Sequence, residues 1–158
     1  MFNKQNFKKF LREAKANTYA RDGEGAETKL NNGSKKFEYK KDEFHYQDIH
    51  FGFNPFAGQE IIFYQQKPIW AMNYRGQIII KNILAKDVYK FLKKALQKVS
   101  LANPYRGPAV YKNGDFKYIN RTKGNIHDFS GQEKIYSKNK LAYTLNYHGG
   151  KIIEKSVE

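Results

Sequence analysis

The sequence predicts an α+β fold in which one unit, a helix followed by four or five short antiparallel strands, occurs twice. Three observations support this prediction: two stretches with a helical spacing of apolar residues, several short runs rich in β-branched and aromatic residues, and a self-similarity at a constant offset of 73 positions. We expect a pseudo-two-fold axis to relate the two copies, with the helices packed on one face of the sheet.

Two amphipathic helices are predicted. In the first, apolar side chains recur at i, i+3, i+4 and i+7, the positions that form one face of a helix: Phe7, Phe10, Leu11 and Ala14. In the second, lysines occupy one side and the apolar spacing continues over three turns, through Val88, Phe91, Leu92, Ala95, Leu96 and Val99. Each helix should therefore bury one apolar stripe.

Runs of alternating or β-branched residues predict the strands, at Glu43–Phe51, Glu60–Tyr64, Ile69–Tyr74, Gln77–Lys81, Asp115–Asn120, Glu133–Ser137 and Leu141–Tyr147. The pair Asn113-Gly114 predicts a hairpin with a type I′ turn. Arg75-Gly76 and His148-Gly149 are predicted to turn two further hairpins. The polar segment 17–36 has no periodicity and is predicted to be a long loop.

The self-similarity is clearest in two motifs. Phe56-Ala-Gly-Gln-Glu60 recurs as Phe129-Ser-Gly-Gln-Glu133, and Asn73-Tyr-Arg-Gly76 recurs as Asn146-Tyr-His-Gly149. A unit this short buries little core alone, so we expect a single domain over residues 1–158, built from repeats at about 5–81 and 85–153.

Composition excludes several classes of protein. The 158 residues include 29 Lys and Arg against 15 Asp and Glu, which gives a formal charge of +14, and no cysteine. Without cysteine the chain cannot form disulfides, thiolate metal sites or a cysteine nucleophile. No apolar run resembles a signal peptide or a membrane span, so we expect a soluble cytoplasmic protein that does not bind membranes.

The basic charge is concentrated in the second half of the chain. From Lys81 to Lys140, fourteen Lys and Arg stand against four acidic residues, whereas Asp42 to Ile80 holds two basic and four acidic residues. Such a patch attracts phosphates, and the interleaved aromatic rings are suited to stacking on unpaired bases. The predicted nucleic-acid-binding residues are Lys90, Lys93, Lys94, Lys98, Arg106, Lys117, Arg121 and Lys123.

A ligand cleft at the pseudo-two-fold axis is the second predicted site. Its candidate residues include positions at which the copies differ: Trp70, Tyr74, Arg75, Tyr105, Tyr143 and Tyr147. A cluster that could hold a phosphate overlaps with this set: His148, Arg75, Arg106, Tyr105, Tyr74 and Tyr147. His148, Glu60 and Glu133 are the candidates for acid–base catalysis, although duplicated glutamates are also expected in a purely structural motif. The spacing of the histidines predicts no metal site, and no motif predicts a cofactor or a reaction.

The chain resembles a bacterial family, the domain of unknown function 5680. Five motifs carry the resemblance: Phe10-Leu-x-x-Ala-Lys-x-x-Thr-Tyr-Ala20, Phe56-Ala-Gly-Gln-Glu60, Trp70-Ala-Met-Asn-Tyr-x-Gly76, Tyr105-Arg-Gly-Pro108 and Asn146-Tyr-His-Gly-Gly150. Members often follow a helix-turn-helix module, which implies a sensing or interaction role beside DNA. One helix precedes the strands here, so we expect no such module.

Three functional hypotheses stay open. The leading one is a small basic nucleic-acid-associated protein that binds RNA or single strands, as a nuclease-like effector or an inhibitor of a ribonucleoprotein of the kind that mobile elements encode. The second is a small-molecule sensor with an aromatic cleft at the axis. The third is an interaction module for an acidic protein partner.

Overall fold

In the computed structural model, which describes residues 3–21 and 27–154, one antiparallel sheet dominates the fold. The elements in chain order are α1 (Lys4–Asn17), β1 (Thr28–Lys29), β2 (Lys35–Lys41), β3 (Phe44–Gly52), β4 (Phe56–Tyr64), β5 (Lys67–Ile78), α2 (Ala85–Leu96), β6 (Val110–Asn113), β7 (Phe116–Asn125), β8 (Asp128–Ser137) and β9 (Lys140–Lys151). The nine strands lie in the order β1-β2-β3-β4-β5-β9-β8-β7-β6.

The predicted α+β class is wrong, because the fold is mainly β. The helices of the described residues hold 14 and 12 residues, whereas the central strands β5 and β9 hold 12 each. The strands are longer than predicted because Arg75-Gly76 and His148-Gly149 lie inside β5 and β9 and do not form turns. These two strands pair with each other along most of their length.

The hairpin loops differ in detail from the prediction. Asn113 pairs with Phe116, so the two-residue loop between β6 and β7 is Gly114-Asp115. Gly114 has a φ of 57°, and a glycine at the first loop position is typical of a type II′ turn rather than the predicted type I′. The loops Gln65-Gln66 and Lys138-Asn139 instead have positive φ at both positions, as type I′ requires.

The predicted loop at 17–36 falls partly outside the described residues. Residues 22–26 of this segment are not among the described residues. Within the rest, Thr28–Lys29 form β1, which pairs with the start of β2. The segment is therefore not a loop throughout.

The strand order is symmetric about the join between β5 and β9. Strands β2 to β5 form one meander and β6 to β9 form another, and β5 and β9 are the inner strand of each. At this join Tyr74 is the register partner of Tyr147. We call the meanders the first and second halves of the sheet.

The core lies on one face of the sheet, which we call the inner face. Both helices add apolar side chains to it: Phe10 of α1 stacks on Phe44 at 4.9 Å between ring centroids, and Phe91 of α2 stacks on Phe116 at 5.0 Å. Asn3 caps the N-terminus of α1, and its side chain accepts a hydrogen bond from the backbone N–H of Gln5 at 2.7 Å. No helix in the described part of the chain is long and apolar enough to cross a membrane.

Candidate functional site

Side chains alternate between the two faces of each strand, so every second residue of β5, β7, β8 and β9 projects from the opposite, outer face. Register aligns these residues in rows. Arg121 pairs with Gln132, Gln132 with Asn146, and Asn146 with Arg75, which makes one row across four strands. The neighbouring row consists of Lys123, Ser130, His148 and Asn73.

The two rows line a shallow concavity of about 770 Å³, which we call the outer groove. Its amide side chains hold one another in place. Gln132 Nε2 donates a hydrogen bond to Asn146 Oδ1 at 2.9 Å. Asn73 Oδ1 accepts one from Gln59 Nε2 at 2.8 Å, and Asn73 Nδ2 lies 3.5 Å from His148 Nε2. The groove therefore presents ordered polar groups between its cations.

The outward-facing cations of β5, β7 and β8 are not neutralised. Arg75, Arg121 and Lys123 make no ion pair with any described residue, nor do the outward-facing Lys117 and Lys134. On these four strands the exposed carboxylate is Asp128, at the first position of β8. Cations without acidic neighbours give this face a positive potential that attracts anions.

The structure divides the predicted nucleic-acid-binding residues among three places. Lys117, Arg121 and Lys123 alternate with the buried residues of β7 and lie on the outer face. Four other predicted residues lie in α2 or just after it, on the side of the sheet that the helices cover: Lys90, Lys93, Lys94 and Lys98. They are on the opposite side of the sheet from the outer groove. Arg106 lies on neither surface, because it is buried in the core.

Arg106 belongs to a buried ionic cluster, which also contains Lys15, Glu60 and Glu133. Arg106 Nε and Nη2 bind the two carboxylate oxygens of Glu133 at 2.8 and 3.0 Å, and Nη1 lies 3.9 Å from Glu60. Lys15 Nζ of α1 lies 2.5 Å from the other oxygen of Glu60. Burial lowers the pKa of Arg106, but the charge of Glu133 outweighs it and raises that pKa well above its usual value.

The structure brings two of the three predicted catalytic residues together: Arg106 bridges Glu60 and Glu133, whereas His148 lies apart from them. Glu60 and Glu133 are fully buried on the inner face, and each carboxylate is paired with a cation. His148 projects from the outer face, on the other side of the sheet. An acid–base pair between His148 and either glutamate is therefore excluded by the geometry, and the glutamates serve as anchors for Lys15 and Arg106.

Most rings of the predicted aromatic cleft lie in the core. Trp70, Tyr143 and Tyr147 are at most 2% exposed, and Tyr105 stacks on Phe129 at 4.0 Å. Trp70 Nε1 donates a hydrogen bond to the Ile126 carbonyl at 3.1 Å. The remaining two members lie apart: Arg75 is in the outer groove, and Tyr74 borders a separate cavity on the inner face.

Sequence reasoning assigned Arg75 to the ligand cleft and named neither Lys134 nor Gln132 nor Asn146 as a candidate, although all four lie on the outer face. Strand parity could have identified them. Lys134, for example, lies between the buried residues Glu133 and Ile135, so it projects from the outer face together with Lys117 and Arg121. Among the described residues, no group of three His, Asp or Glu side chains is arranged to hold a metal ion.

Comparison with known proteins agrees with the resemblance noted in the sequence. Neither the curated proteins nor the solved structures include a match. The model of the family described as domain of unknown function (DUF5680) matches residues 48–152, which contain four of the five motifs and leave out the one at 10–20. Because the matched range is more than half of the chain, the protein belongs to the DUF5680 family.

Proposed function

We propose that the protein binds single-stranded nucleic acid, with RNA as the expected form, through the outer groove. The observation that carries the proposal is the set of unpaired cations on one sheet face, with Arg75 and Arg121 at the two ends of one row. Neighbouring strands lie about 4.8 Å apart, so the three strand spacings between these arginines span roughly 14 Å. A groove of that width can hold consecutive phosphates of one strand.

The kinds of donor in the groove suit a phosphate backbone. Arg75 and Arg121 can each bind a phosphate through two parallel N–H groups, while Lys123 acts as a point charge. The ordered amides of Gln132 and Asn146 lie between them and can exchange hydrogen bonds with sugar hydroxyls or base edges. Contacts of this kind make binding strongly salt-dependent.

The shape of the surface favours a flexible strand over a duplex. The outer face is a broad sheet surface, and in the described part of the chain it carries no helix that could enter a major groove. A single strand can follow such a surface and turn its bases toward it. Tyr136, half-buried beside Lys117 on this face, offers one ring for stacking.

A pair of triple variants tests the proposal. One removes three groove cations, Arg75→Gln, Arg121→Gln and Lys123→Gln. The other removes three cations on the helix side, Lys90→Gln, Lys94→Gln and Lys98→Gln, and changes the net charge equally. Fluorescence anisotropy with labelled single-stranded RNA and DNA of one sequence would be measured over a salt series, with thermal melting as the check on folding.

We expect the groove variant to bind about tenfold or more weakly and to reduce the salt slope by about 2, since each single-strand phosphate contact contributes about 0.7. The helix variant should lose much less. Equal losses, or a larger loss in the helix variant, would place any binding elsewhere and contradict the proposal. Equal displacement of RNA by polyglutamate would instead indicate an acidic protein partner.

A further inference from the structure

A cavity of about 240 Å³ opens on the inner face, on the opposite side of the sheet from the outer groove. We call it the Asp48 cavity, after the carboxyl group of β3 that lines it. Its lining combines aromatic rings with charged side chains: Tyr19, Phe53, Phe56, Tyr74 and Tyr89, together with Asp48, Glu27, Lys35, Lys93 and Arg106. Phe56 packs against Tyr74 and Tyr89 with centroid distances of 6.1 and 6.0 Å, and Phe53 packs edge-on against Tyr89 at 5.3 Å. Aromatic rings beside a few placed polar groups are the lining that small-molecule sites typically have.

Asp48 carries the uncompensated charge of the neighbouring ionic cluster. Lys15 and Arg106 neutralise Glu60 and Glu133, and Asp48 makes no ion pair with any described residue. Its carboxyl group is 4% exposed and accepts one hydrogen bond, from the Tyr74 hydroxyl at 2.5 Å. A buried carboxylate without a cation is costly unless a ligand supplies one.

The second half of the sheet shows that the fold does not need this carboxylate. Asn120 is the strand-register partner of Glu133 there, just as Asp48 is the register partner of Glu60 in the first half. Asn120 accepts a hydrogen bond from Tyr147 at 2.8 Å and donates one to the Gly107 carbonyl at 2.9 Å. A neutral amide can therefore make the hydrogen bonds that this position requires. Folding alone does not explain why Asp48 carries a charge there.

We propose that the Asp48 cavity binds a small ligand with a protonated nitrogen, an ammonium or amidinium group, on an aromatic or apolar body. Asp48 pairs with the charged nitrogen, and the faces of the surrounding rings attract the same cation. The site is separate from the proposed nucleic-acid groove.

The other charged groups around the cavity define the controls. Glu27 is engaged by Lys35 at 3.0 Å and by His50 at 3.7 Å. The Lys93 ammonium lies 5.5 Å from the centroid of the Tyr19 ring and makes no ion pair with a described residue. Because Lys93 would repel a cationic ligand, Lys93→Gln should leave the affinity unchanged or raise it.

Calorimetric titration of the full chain would compare three cationic probes, benzylamine, benzamidine and tryptamine, with uncharged benzyl alcohol. At least one cationic probe should bind with a Kd of about 1 mM or tighter, and benzyl alcohol about tenfold or more weakly. Asp48→Asn should abolish that preference, and Asn120 indicates that an amide is compatible with folding there. Phe53→Ser, at a 65% exposed position, should weaken every probe.

Two results would overturn the proposal: no cationic probe binding better than benzyl alcohol, or Asp48→Asn leaving the preference intact. Affinity for the cationic probe should also rise between pH 5.5 and pH 8 as Asp48 loses its proton. The charged and titratable groups around Asp48 and its cavity include Glu60, Glu27, Lys15, Arg106, Tyr74, Lys93, Lys35 and His50. Of these types, histidine is the one that ordinarily changes charge in this pH range, and burial lowers the pKa of His50. The pH dependence should therefore disappear in Asp48→Asn and persist in His50→Gln.

Discussion

Tyr74 and Tyr147 lie directly opposite each other in the central strand pair, and each donates a hydrogen bond to a side chain of its own half of the sheet. Tyr74 binds Asp48 at 2.5 Å, and Tyr147 binds Asn120 at 2.8 Å. Two tyrosines with equivalent surroundings therefore hold a carboxyl group in one half and an amide in the other. This difference provides a matched pair of positions for experiment.

Asp48→Asn should stabilise the protein at alkaline pH. Burial and the nearby charge of Glu60 raise the pKa of Asp48 from 3.8 to about 7. Between these values the folded state holds a proton that the unfolded state has lost, so the free energy of unfolding falls as pH rises toward 7 and stays low above it. We expect the variant to gain on the order of 1–3 kcal/mol at pH 8, measured by urea denaturation.

The gain should be much smaller at pH 5, where Asp48 is protonated in the folded state. Asn120→Asp is the matched control and should lose stability at pH 8, because it places a second uncompensated carboxylate in the core. A stability difference between Asp48→Asn and the native chain that is the same at both pH values would contradict the prediction.

The sequence allowed the local elements to be predicted better than their connections. The apolar spacing of Phe7, Phe10, Leu11 and Ala14 found α1, since helical contacts are local. Gly76 was misassigned because glycine serves both turns and close packing. In the structure a Cβ at Gly76 would lie 2.7 Å from the Phe56 ring, so this glycine makes room for a ring.

The faces on which the candidate site residues lie could be predicted only where the alternation of side chains along one strand was enough. Lys117, Arg121 and Lys123 share a face because they alternate along one strand. The role of Arg106 depends on Glu133, 27 positions further along the chain, and no local pattern predicts that pairing. The aromatic residues of the axis were expected to line a cleft, but composition cannot distinguish rings that line a cavity from rings that fill a core.

Replacing Arg106 should test the stability of the core and leave the outer groove intact. Arg106→Met would leave Glu133 buried with the Tyr118 hydroxyl, 2.6 Å away, and without its cation. The expected loss is about 3–5 kcal/mol in the free energy of unfolding. The double variant Arg106→Met with Glu133→Leu should recover part of it in denaturant titrations. An Arg106→Met protein with native stability would show that the ion pair is not needed.

Trp70→Phe should destabilise the centre of the sheet by about 1–3 kcal/mol. The substitution removes the N–H that binds the Ile126 carbonyl and leaves this buried acceptor unpaired. It also reduces the ring area stacked on Phe129 at 5.5 Å. Since Trp70 is the single tryptophan of the chain, unfolding should be followed by circular dichroism rather than by fluorescence. Unchanged stability would mean that the hydrogen bond contributes nothing.

Gly131→Ala should destabilise the protein through one identifiable contact. A Cβ at Gly131 would overlap the ring of Tyr147, which crosses this position on the inner face. Overpacking of this kind costs about 1–3 kcal/mol.

Tyr147→Leu removes the obstructing ring, although it also loses the hydrogen bond to Asn120. In a double-mutant cycle the combined variant should therefore be less destabilised than the sum of the single variants. Ser130→Ala, at the exposed neighbouring position, should change stability by less than about 0.5 kcal/mol. Strict additivity in the cycle would show that Gly131 is needed for a reason other than the close approach of Tyr147.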